Sequence, residues 1–344
     1  MKHVTFGASG LRVSELCLGA ITFGDPRSFG SSPEESRAIF EGFASAGGSF
    51  IDTANLYGEG ASERLLGEFI ASDRDSFVIS TKYTPSRTGG VQRSGNGRKN
   101  MMRSIEESLR RLATDHVDVF WLHARDGVTP WEEIMRGLDD LVASGKVLYV
   151  GASDTPAWEI SRANMLAELR GWSRFVGIQV EYSLVERTPE RELLPMARGL
   201  GLGITAWSPL AGGALSGKYG GDNPSEPTRL RREGISERTL RIADTLAQVA
   251  RDVGATSAQV ALAWLLARAD SGPVIPIIGA RTRAQLDENM ASLNVVLEPA
   301  QRARLDQATQ IEAGFPHQFL ASEMLKKFLT GGDPSQLRQP SQRG

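Results

Sequence analysis

The chain has 344 residues, of which 40% are hydrophobic and 23% are charged, a length and composition that suit one large α/β barrel or two smaller domains. Lysine and arginine total 39 against 41 for aspartate and glutamate, so the formal charge of -2 argues against binding to nucleic acid or to anionic membranes. The single cysteine, Cys17, excludes disulfides, and the lack of a signal-like N-terminus or a long apolar run predicts a soluble, cytoplasmic protein.

Short apolar runs alternate with amphipathic segments along the chain. The N-terminal segment HVTFGASGLRVS predicts two short strands around a Gly-Ala-Ser-Gly turn, a hairpin expected to plug the N-terminal end of a barrel. Strands are predicted at residues 16–20, 49–52, 77–81, 117–122, 147–151, 175–180, 202–206 and 274–278. Helices are predicted at residues 34–46, 101–112, 130–143 and 240–252. Ser32 and Pro33 are typical of a helix start, and Gly47-Gly48 of its end.

Eight strands that alternate with helices predict a (β/α)8 TIM barrel, an α/β fold, better than an open doubly wound sheet. We expect residues 1–330 to form one barrel domain. Long loops are expected after the third and seventh strands, at residues 84–100 and 211–237. The tail, residues 331–344, has almost no apolar residues and is predicted to be disordered.

Polar side chains follow several of these strands, at the end where barrel enzymes carry their chemistry. Asp52 ends the second strand, Lys82 and His123 follow the third and fourth, and Tyr57 lies on the loop after the second. A single charged residue at a strand end is more often solvated or ion-paired, but four such groups at one mouth indicate a site. A nearby ammonium lowers the pKa of a phenol, so Lys82, held by Asp52, is expected to make Tyr57 a proton donor. With His123 as a hydrogen-bond donor to the same substrate oxygen, the set suits carbonyl reduction.

Reduction needs a hydride source, yet the GxGxxG fingerprint of a Rossmann domain is absent. The string GGALSGKY, residues 212–219, is close to a Walker loop but has Tyr219 where magnesium needs Ser or Thr. It favours a phosphate-approaching loop without nucleotide hydrolysis, with a plain flexible loop as the alternative. Trp207 offers a flat face for a nicotinamide ring, with mere packing at the rim as the alternative. The lack of HExxH, HxH and GxSxG argues against a metal site and against acyl transfer.

Several strings together resemble the aldo-keto reductase superfamily over residues 4 to about 320. They are GFASAGGSFIDTANLYGEGASERLLGEF, STKY, SLRRLATDHVDVFWLHARD, GKVLYVGASD, QVEYSLVERTPERELLP, TAWSPLAGGALSGKY and IPIIGARTRAQLDEN. The most similar branch is that of bacterial oxidoreductases related to the β-subunits of voltage-gated potassium channels. The resemblance implies a catalytic tetrad of Asp52, Tyr57, Lys82 and His123. It also implies that NAD(P)H passes a hydride directly to the carbonyl carbon while Tyr57 protonates the oxygen.

The resemblance further implies a cofactor site across the barrel mouth. Ser153, Asp154 and Gln179 would hold the nicotinamide carboxamide, and Trp207 would stack on the ring. The other implied cofactor-binding residues are Gly19, Ala20, Ile21, Asp52, Ser208, Pro209, Leu210, Ala211, Gly212, Lys218, Gly279, Arg281, Gln285, Glu288 and Asn289.

The chain departs from the wider family at two cofactor positions. Asp154 stands where an asparagine is common, and Gln285 replaces an arginine that many members use against the 2′-phosphate. Arg281, with Arg283 as a second candidate, remains to favour NADPH over NADH. No metal is implied.

Three hypotheses follow. The first is an NADPH-dependent carbonyl reductase that runs in reverse as an alcohol dehydrogenase; the second is a cofactor-occupied sensing module with little turnover; the third is a barrel hydrolase or isomerase without nicotinamide. The expected partner is a small molecule, with no nucleic acid or membrane, and the protein is a monomer or a homo-oligomer. An aromatic aldehyde, a keto ester or a sugar-derived ketone would suit the site, with Phe23, Phe29 and Tyr83 as apolar walls. The loops at residues 20–30, 84–100 and 124–128 would set specificity.

Overall fold

A computed structural model of the chain describes residues 1–24, 30–86, 90–218, 235–268 and 272–336. Phe29, Tyr219 and most of the loop predicted at residues 211–237 lie outside these ranges. So do residues 337–344 of the predicted tail.

The hairpin and the barrel strands lie where the sequence predicts them. β1 (His3–Thr5) and β2 (Arg12–Ser14) pair antiparallel. The barrel strands are β3 (Cys17–Gly19), β4 (Phe50–Asp52), β5 (Val78–Tyr83), β6 (Val117–Leu122), β7 (Val147–Ser153), β8 (Phe175–Glu181), β9 (Gly203–Trp207) and β10 (Val274–Gly279). Parallel pairing of β10 with both β9 and β3 closes the ring. The fold is therefore a (β/α)8 TIM barrel with an N-terminal hairpin.

The described helices surround the barrel and continue past its last strand. They are α1 (Pro33–Ser45), α2 (Ala61–Ile70), α3 (Arg98–Leu112), α4 (Trp131–Ala143), α5 (Ala157–Arg170), α6 (Leu193–Gly199), α7 (Glu237–Val253), α8 (Ser257–Leu266), α9 (Arg283–Met290), α10 (Pro299–Ala308), α11 (His317–Leu320) and α12 (Glu323–Leu329). Within the described ranges, none of these helices combines the length and the apolar character that crossing a membrane would need.

Element ends differ from the predictions by a few residues, with local causes. Ser32 caps α1 as predicted, because its side chain accepts a hydrogen bond from the Glu35 N–H at 3.2 Å. α3 begins at Arg98, before the predicted start, because Glu133 accepts a hydrogen bond at 2.8 Å from an N–H that the first helical turn leaves unpaired. β5 and β7 run beyond their predicted ends, so Lys82 lies within a strand instead of after it.

Side chains along each strand alternate between the barrel interior and the surrounding helices. On β5, Val78 belongs to the interior cluster, whereas Ile79 and Tyr83 belong to the larger cluster between strands and helices. By the same alternation, Ser80 and Lys82 point into the barrel. The interior is therefore apolar at its N-terminal end and polar toward its C-terminal end.

Phe6, just after β1, fills the N-terminal end of the barrel. A Cβ atom at Gly177 or Gly203 would lie 2.3 or 2.5 Å from the Phe6 ring, so only glycine leaves room for it there. The hairpin is also tied to the barrel by a 2.7 Å hydrogen bond from the Ala8 N–H to the Gly201 carbonyl. Trp121 lies edge-on above Phe6, with ring centroids 6.2 Å apart. This packing supports the predicted role of the hairpin as a plug.

Candidate active site

The fold brings the four predicted catalytic residues together at the C-terminal mouth of the barrel. Asp52 ends β4, Lys82 lies in β5 and His123 directly follows β6. Tyr57 lies on the loop after β4, with its hydroxyl oxygen 3.2 Å from Lys82 Nζ. The Tyr57 and His123 rings meet edge to face with centroids 6.2 Å apart.

The ammonium group of Lys82 is fully committed within this cluster. Its side chain is buried and donates to a carboxylate oxygen of Asp52, to the Thr53 carbonyl at 2.8 Å and to the Tyr57 hydroxyl at 3.2 Å. An ammonium has three protons to donate, so these three bonds use all of them. Because Tyr57 accepts from Lys82, its own proton is left to point elsewhere. The arrangement can thus present a phenol proton to a ligand in the mouth.

Asp52 is held by two residues that were not predicted to contact it. Its Oδ1 accepts hydrogen bonds from Ser80 Oγ at 2.6 Å and from Gln179 Nε2 at 3.1 Å, while its Oδ2 faces Lys82. A buried carboxylate needs such partners to offset its desolvation. Strand alternation could have identified Ser80, because it lies two residues before Lys82 and so faces the same interior.

The loop that carries Tyr57 is anchored by the first turn of α2. Gly58, Glu59 and Gly60 all have positive φ, at 54°, 53° and 86°. This left-handed run turns the chain sharply after Tyr57. Ser62 then donates a hydrogen bond to the Ala20 carbonyl at 2.7 Å. The position of Tyr57 is therefore fixed by backbone conformation as well as by Lys82.

A buried ion pair holds α2 itself. Glu63 is fully buried, accepts a hydrogen bond from Thr81 Oγ1 at 2.6 Å and pairs with Arg111 Nε at 2.6 Å. Thr81 lies between Ser80 and Lys82 and faces the helices. β5 therefore supports the site on both of its faces.

The prediction that Lys82 gives Tyr57 a lowered pKa is wrong, because the net pKa of Tyr57 is raised. Burial of Tyr57, the largest effect, raises its pKa; the Lys82 ammonium lowers it, and the Asp52 carboxylate raises it again, so the net pKa lies above the usual 10.0. Burial alone would lower the pKa of Lys82, but Asp52 and Tyr57 raise it above 10.5. At neutral pH the pair is thus a phenol and an ammonium.

His123 is a neutral imidazole near neutral pH. Burial, followed by repulsion from the Lys82 ammonium, lowers its pKa from 6.5 to about 3. Its Nδ1 is buried and has no hydrogen-bond partner among the described residues. His123 can therefore donate through a neutral N–H, and it is not a proton source.

The residues predicted to hold a nicotinamide lie on the adjoining strand ends. Ser153 and Gln179 are paired across β7 and β8, and Trp207 ends β9. Ser153 is almost fully buried; its Oγ is near enough to the Asp154 carboxylate to lower the pKa of that group, but it makes no hydrogen bond of normal geometry among the described residues. The indole N–H of Trp207 donates to Asp154 Oδ1 at 3.1 Å. A buried, unsatisfied hydroxyl beside a partly exposed indole fits a flat ligand that carries a polar amide group.

In the glycine-rich loop after β9, several backbone N–H groups that could bind an anion already have hydrogen-bond partners. The N–H groups of Ala211, Gly212 and Gly213 donate within the loop, to the Ser208 carbonyl at 2.8 Å, to Ser208 Oγ at 3.1 Å and to the Leu210 carbonyl at 2.9 Å. Ser208, Ala211, Gly212 and Gly213 all have positive φ, which gives the loop a concave backbone. In this conformation an approaching anion meets amides that already have partners.

The exit of β10 is braced by the residues predicted to surround the adenosine. Gln285 Oε1 accepts a hydrogen bond from the Arg281 N–H at 3.0 Å, and Asn289 Nδ2 donates to the Gly279 carbonyl at 3.1 Å. Arg283 pairs with Asp287 at 2.9 Å, and its guanidinium lies where a Cβ at residue 42 would fall. Arg283 therefore packs on α1, which leaves Arg281 as the candidate for the 2′-phosphate.

Two of the three predicted substrate walls are displaced from the mouth. Tyr83 is fully buried on the outward face of β5, where it stacks on Phe120 with centroids 5.1 Å apart. Phe23 is also fully buried, edge-on to Phe69 of α2 at 6.1 Å. Neither side chain can contact a substrate from there, and Phe29 lies outside the described residues. Ile21, 43% exposed, and the partly exposed Leu56 are apolar side chains on the loops that follow β3 and β4.

The loop after His123 is pinned by a polar network instead of lying open. Asn96 and Asp126 exchange two hydrogen bonds: the Asp126 N–H donates to Asn96 Oδ1 at 2.7 Å, and the Asn96 N–H donates to Asp126 Oδ2 at 2.8 Å. Burial raises the Asp126 pKa, but hydrogen bonds from Thr129 and nearby backbone N–H groups outweigh it and hold the pKa at about 2. The loops that follow β5 and β6 are thus fixed to one another beside the mouth.

Comparisons with known proteins agree with this arrangement. A sequence profile described as the aldo/keto reductase family matches residues 15–310, a range that includes every barrel strand. The chain is 38% identical to norsolorinic acid reductase of Emericella nidulans, over 93% of this chain and 84% of that protein. It is 35% identical to aryl-alcohol dehydrogenase, NADP(+), of Phanerodontia chrysosporium, over 90% and 86% of the two chains. It is 38% identical to the uncharacterized oxidoreductase YrpG of Bacillus subtilis, over 87% and 93%.

Proposed function

Because the chain belongs to the aldo/keto reductase family, we propose that it is an NADPH-dependent oxidoreductase that interconverts an aldehyde or ketone and the corresponding alcohol. The observation that carries this proposal is the commitment of all three Lys82 protons, which leaves the Tyr57 proton available to the barrel mouth. In the reduction, a bound nicotinamide would supply the hydride to the carbonyl carbon.

The residues of this chain supply the proton and the electrostatic stabilisation. Tyr57 gives its phenol proton to the carbonyl oxygen as negative charge develops there, so hydride plus proton convert the carbonyl to an alcohol. Lys82 stabilises the phenolate that Tyr57 becomes, and solvent returns the proton. Neutral His123 donates a hydrogen bond to the same oxygen, a contribution on the order of 10²-fold in rate for a well-aimed donor. In the oxidation each step runs backward, with the Tyr57 phenolate as the base.

Several contacts support the placement of the cofactor across the mouth. Ser153 and Gln179 would hold the carboxamide and Trp207 would carry the ring, since a buried unsatisfied hydroxyl and an indole face lie together there. Arg281 would favour NADPH through a charge-assisted contact with the 2′-phosphate. The NADP(+) in the name of the aryl-alcohol dehydrogenase relative supports the same preference.

The substrate class that we propose is an aromatic aldehyde or ketone and the matching aryl alcohol. Two relatives are named for norsolorinic acid and for aryl alcohols. On this chain, Ile21 and Leu56 keep apolar surface on the loops that follow β3 and β4. Apolar and aromatic walls with few polar contacts suit an aryl ring better than a sugar-derived ketone.

The test is a carbonyl panel assayed with NADPH and NADH side by side, with Tyr57→Phe as the blank. We expect steady turnover of aryl aldehydes far above one event per site, higher efficiency with NADPH, and loss of turnover in the blank. Full turnover by Tyr57→Phe would show that Tyr57 is not the proton donor. A single turnover per site would favour the cofactor-occupied sensing module. Tryptophan fluorescence that does not change when NADPH is added would favour a hydrolase or isomerase that uses no nicotinamide.

A further inference from the structure

Asp154 places a carboxylate beside the indole that we propose carries the nicotinamide. It directly follows β7, whereas Trp207 ends β9, two strands away. The 3.1 Å hydrogen bond from Trp207 Nε1 to Asp154 Oδ1 therefore crosses the C-terminal end of β8. Gln179 lies within β8, close to that end. The carboxylate is thus held at the same part of the mouth as the proposed carboxamide contacts.

The backbone fixes this placement. Asp154 has a φ of 40°, in the left-handed region that Asp and Asn adopt more readily than other residues with side chains. Its carbonyl also accepts a hydrogen bond from the Arg125 N–H, at 3.4 Å. Asparagine suits both the φ and the hydrogen bond to Trp207, so the charge of Asp154 is not needed for the local fold.

The charge of Asp154 acts on the reaction centre. Its carboxylate raises the pKa of Tyr57, after the larger effects of burial, Lys82 and Asp52. Asp154 also adds to the rise in the pKa of Glu181, after burial and Glu186. Asp154 is exposed, yet partial burial of its carboxylate raises its own pKa against the lowering effects of the Trp207 hydrogen bond, the Lys82 charge and the nearby Ser153 hydroxyl. A change of charge in the mouth must therefore interact with this carboxylate.

We propose that the charge of Asp154 makes the cofactor site favour the oxidised over the reduced nicotinamide, and so biases the protein toward alcohol oxidation. The inference rests on the proposed function. An oxidised nicotinamide ring carries a positive charge and a reduced one is neutral, so a carboxylate in the mouth attracts the first selectively. A neutral amide in the same position gives no such discrimination.

This preference does not alter the equilibrium between carbonyl and alcohol in solution. It changes which cofactor form saturates the site at a given concentration. Tighter binding of NADP(+) promotes alcohol oxidation at low NADP(+) and makes NADP(+) a stronger product inhibitor of carbonyl reduction.

Asp154→Asn isolates the charge, because the amide oxygen still accepts from Trp207 Nε1. Calorimetric titration at mildly alkaline pH would give Kd for NADP(+) and for NADPH with the wild type and the variant. We expect the ratio of Kd for NADP(+) to Kd for NADPH to rise about tenfold in Asp154→Asn, the scale of one screened charge pair.

Trp207→Phe is the matched control, since it keeps the Asp154 charge and an aromatic face but removes the indole N–H. We expect it to weaken both cofactor forms together and to leave the ratio near the wild-type value. Urea unfolding would check that both variants are folded.

Failure of the inference and failure of the proposed function would give different results in these titrations. Cofactor binding with an unchanged ratio in Asp154→Asn overturns the inference and leaves the proposed function standing. An equal change of ratio in Trp207→Phe also overturns it, because the hydrogen bond and not the charge would then be responsible. Failure of the wild-type protein to bind either cofactor overturns the proposed function and the inference with it.

Discussion

Phe50 and Asp52 lie two residues apart on β4, face the same barrel interior and are both buried, yet they have different partners. Phe50 packs edge-on against Phe6 of the plug, with centroids 5.8 Å apart. Asp52 is paired with Lys82 and accepts two further hydrogen bonds. One strand thus supplies an apolar closed end and a charged open end to the same barrel.

Burial has opposite effects on the free energy of folding at the two ends of the barrel. Removing apolar surface from water stabilises the N-terminal end by about 25 cal/mol per Å². Burying charges at the mouth costs free energy that the partners offset only when every donor and acceptor is matched. A substitution at the N-terminal end should therefore change stability alone, and one at the mouth should change turnover.

The largest effect is expected for Lys82→Met, because it leaves the Asp52 carboxylate buried without its cation. We predict a loss of about 3–5 kcal/mol in the free energy of unfolding, measured by urea denaturation, together with loss of turnover. Adding Asp52→Asn should restore most of the stability and none of the turnover. Unaltered stability of the single variant would mean that the pair is not the buried contact described above.

Phe6→Ala tests the closed end. It removes the ring that lies against Gly177 and Gly203, and such truncations cost about 3–5 kcal/mol. We predict that loss in urea denaturation, with kcat for the folded protein unchanged. Phe6→Leu, which keeps most of the volume, should lose less. A lower kcat for fully folded Phe6→Ala would show that the closed end of the barrel affects the reaction at its open end.

His123 should make the protein sensitive to acid. Its pKa is lowered from 6.5 to about 3 in the folded protein, so between these values the unfolded chain binds more protons and stability is lost as the pH falls. The contribution is at most ~1.4 kcal/mol per pH unit. Urea denaturation of the wild type and His123→Gln across this range should show a steeper decline for the wild type. Parallel profiles would contradict a neutral, buried His123.

The smallest effect is expected for Ser80→Ala. It removes one hydrogen bond to Asp52, a loss of about 1 kcal/mol, with a modest fall in kcat. Thr205→Val is the matched control, because Thr205 is a buried barrel hydroxyl that bonds to the Ile178 carbonyl and not to the tetrad. We predict that only Ser80→Ala changes kcat. An equal change in kcat for Ser80→Ala and Thr205→Val would show that Ser80 has no specific role in catalysis.

The sequence predicts the barrel and the convergence of the tetrad because both follow from periodicity. Strand alternation puts every second residue of β5 inside the barrel, so the sequence alone predicts that Ser80 and Lys82 point inward. The same alternation places Tyr83 on the outer face of β5, where it packs on Phe120, so the prediction that Tyr83 lines the mouth is wrong.

Other features depend on packing between distant segments. Phe23 is buried because α2 supplies Phe69 against it, which no local pattern around residue 23 reveals. Arg283 is held away from the proposed cofactor site by its contacts with α1 and Asp287. The direction of the Tyr57 pKa depends on burial outweighing the Lys82 charge, a balance set by three-dimensional structure.

Burial keeps Tyr57 a protonated phenol against the charge of Lys82, and the hydrogen bond from Lys82 leaves the phenol proton facing the mouth. Carbon-13 NMR of labelled tyrosine tests it directly, since the chain has five tyrosines and Tyr57→Phe identifies the relevant signal. We expect the Tyr57 signal of the free protein to keep its phenol position up to the usual tyrosine pKa of 10.0 and to titrate only above it. A titration midpoint below 10.0 would contradict a protonated Tyr57, because the Lys82 charge would then outweigh burial in setting the pKa.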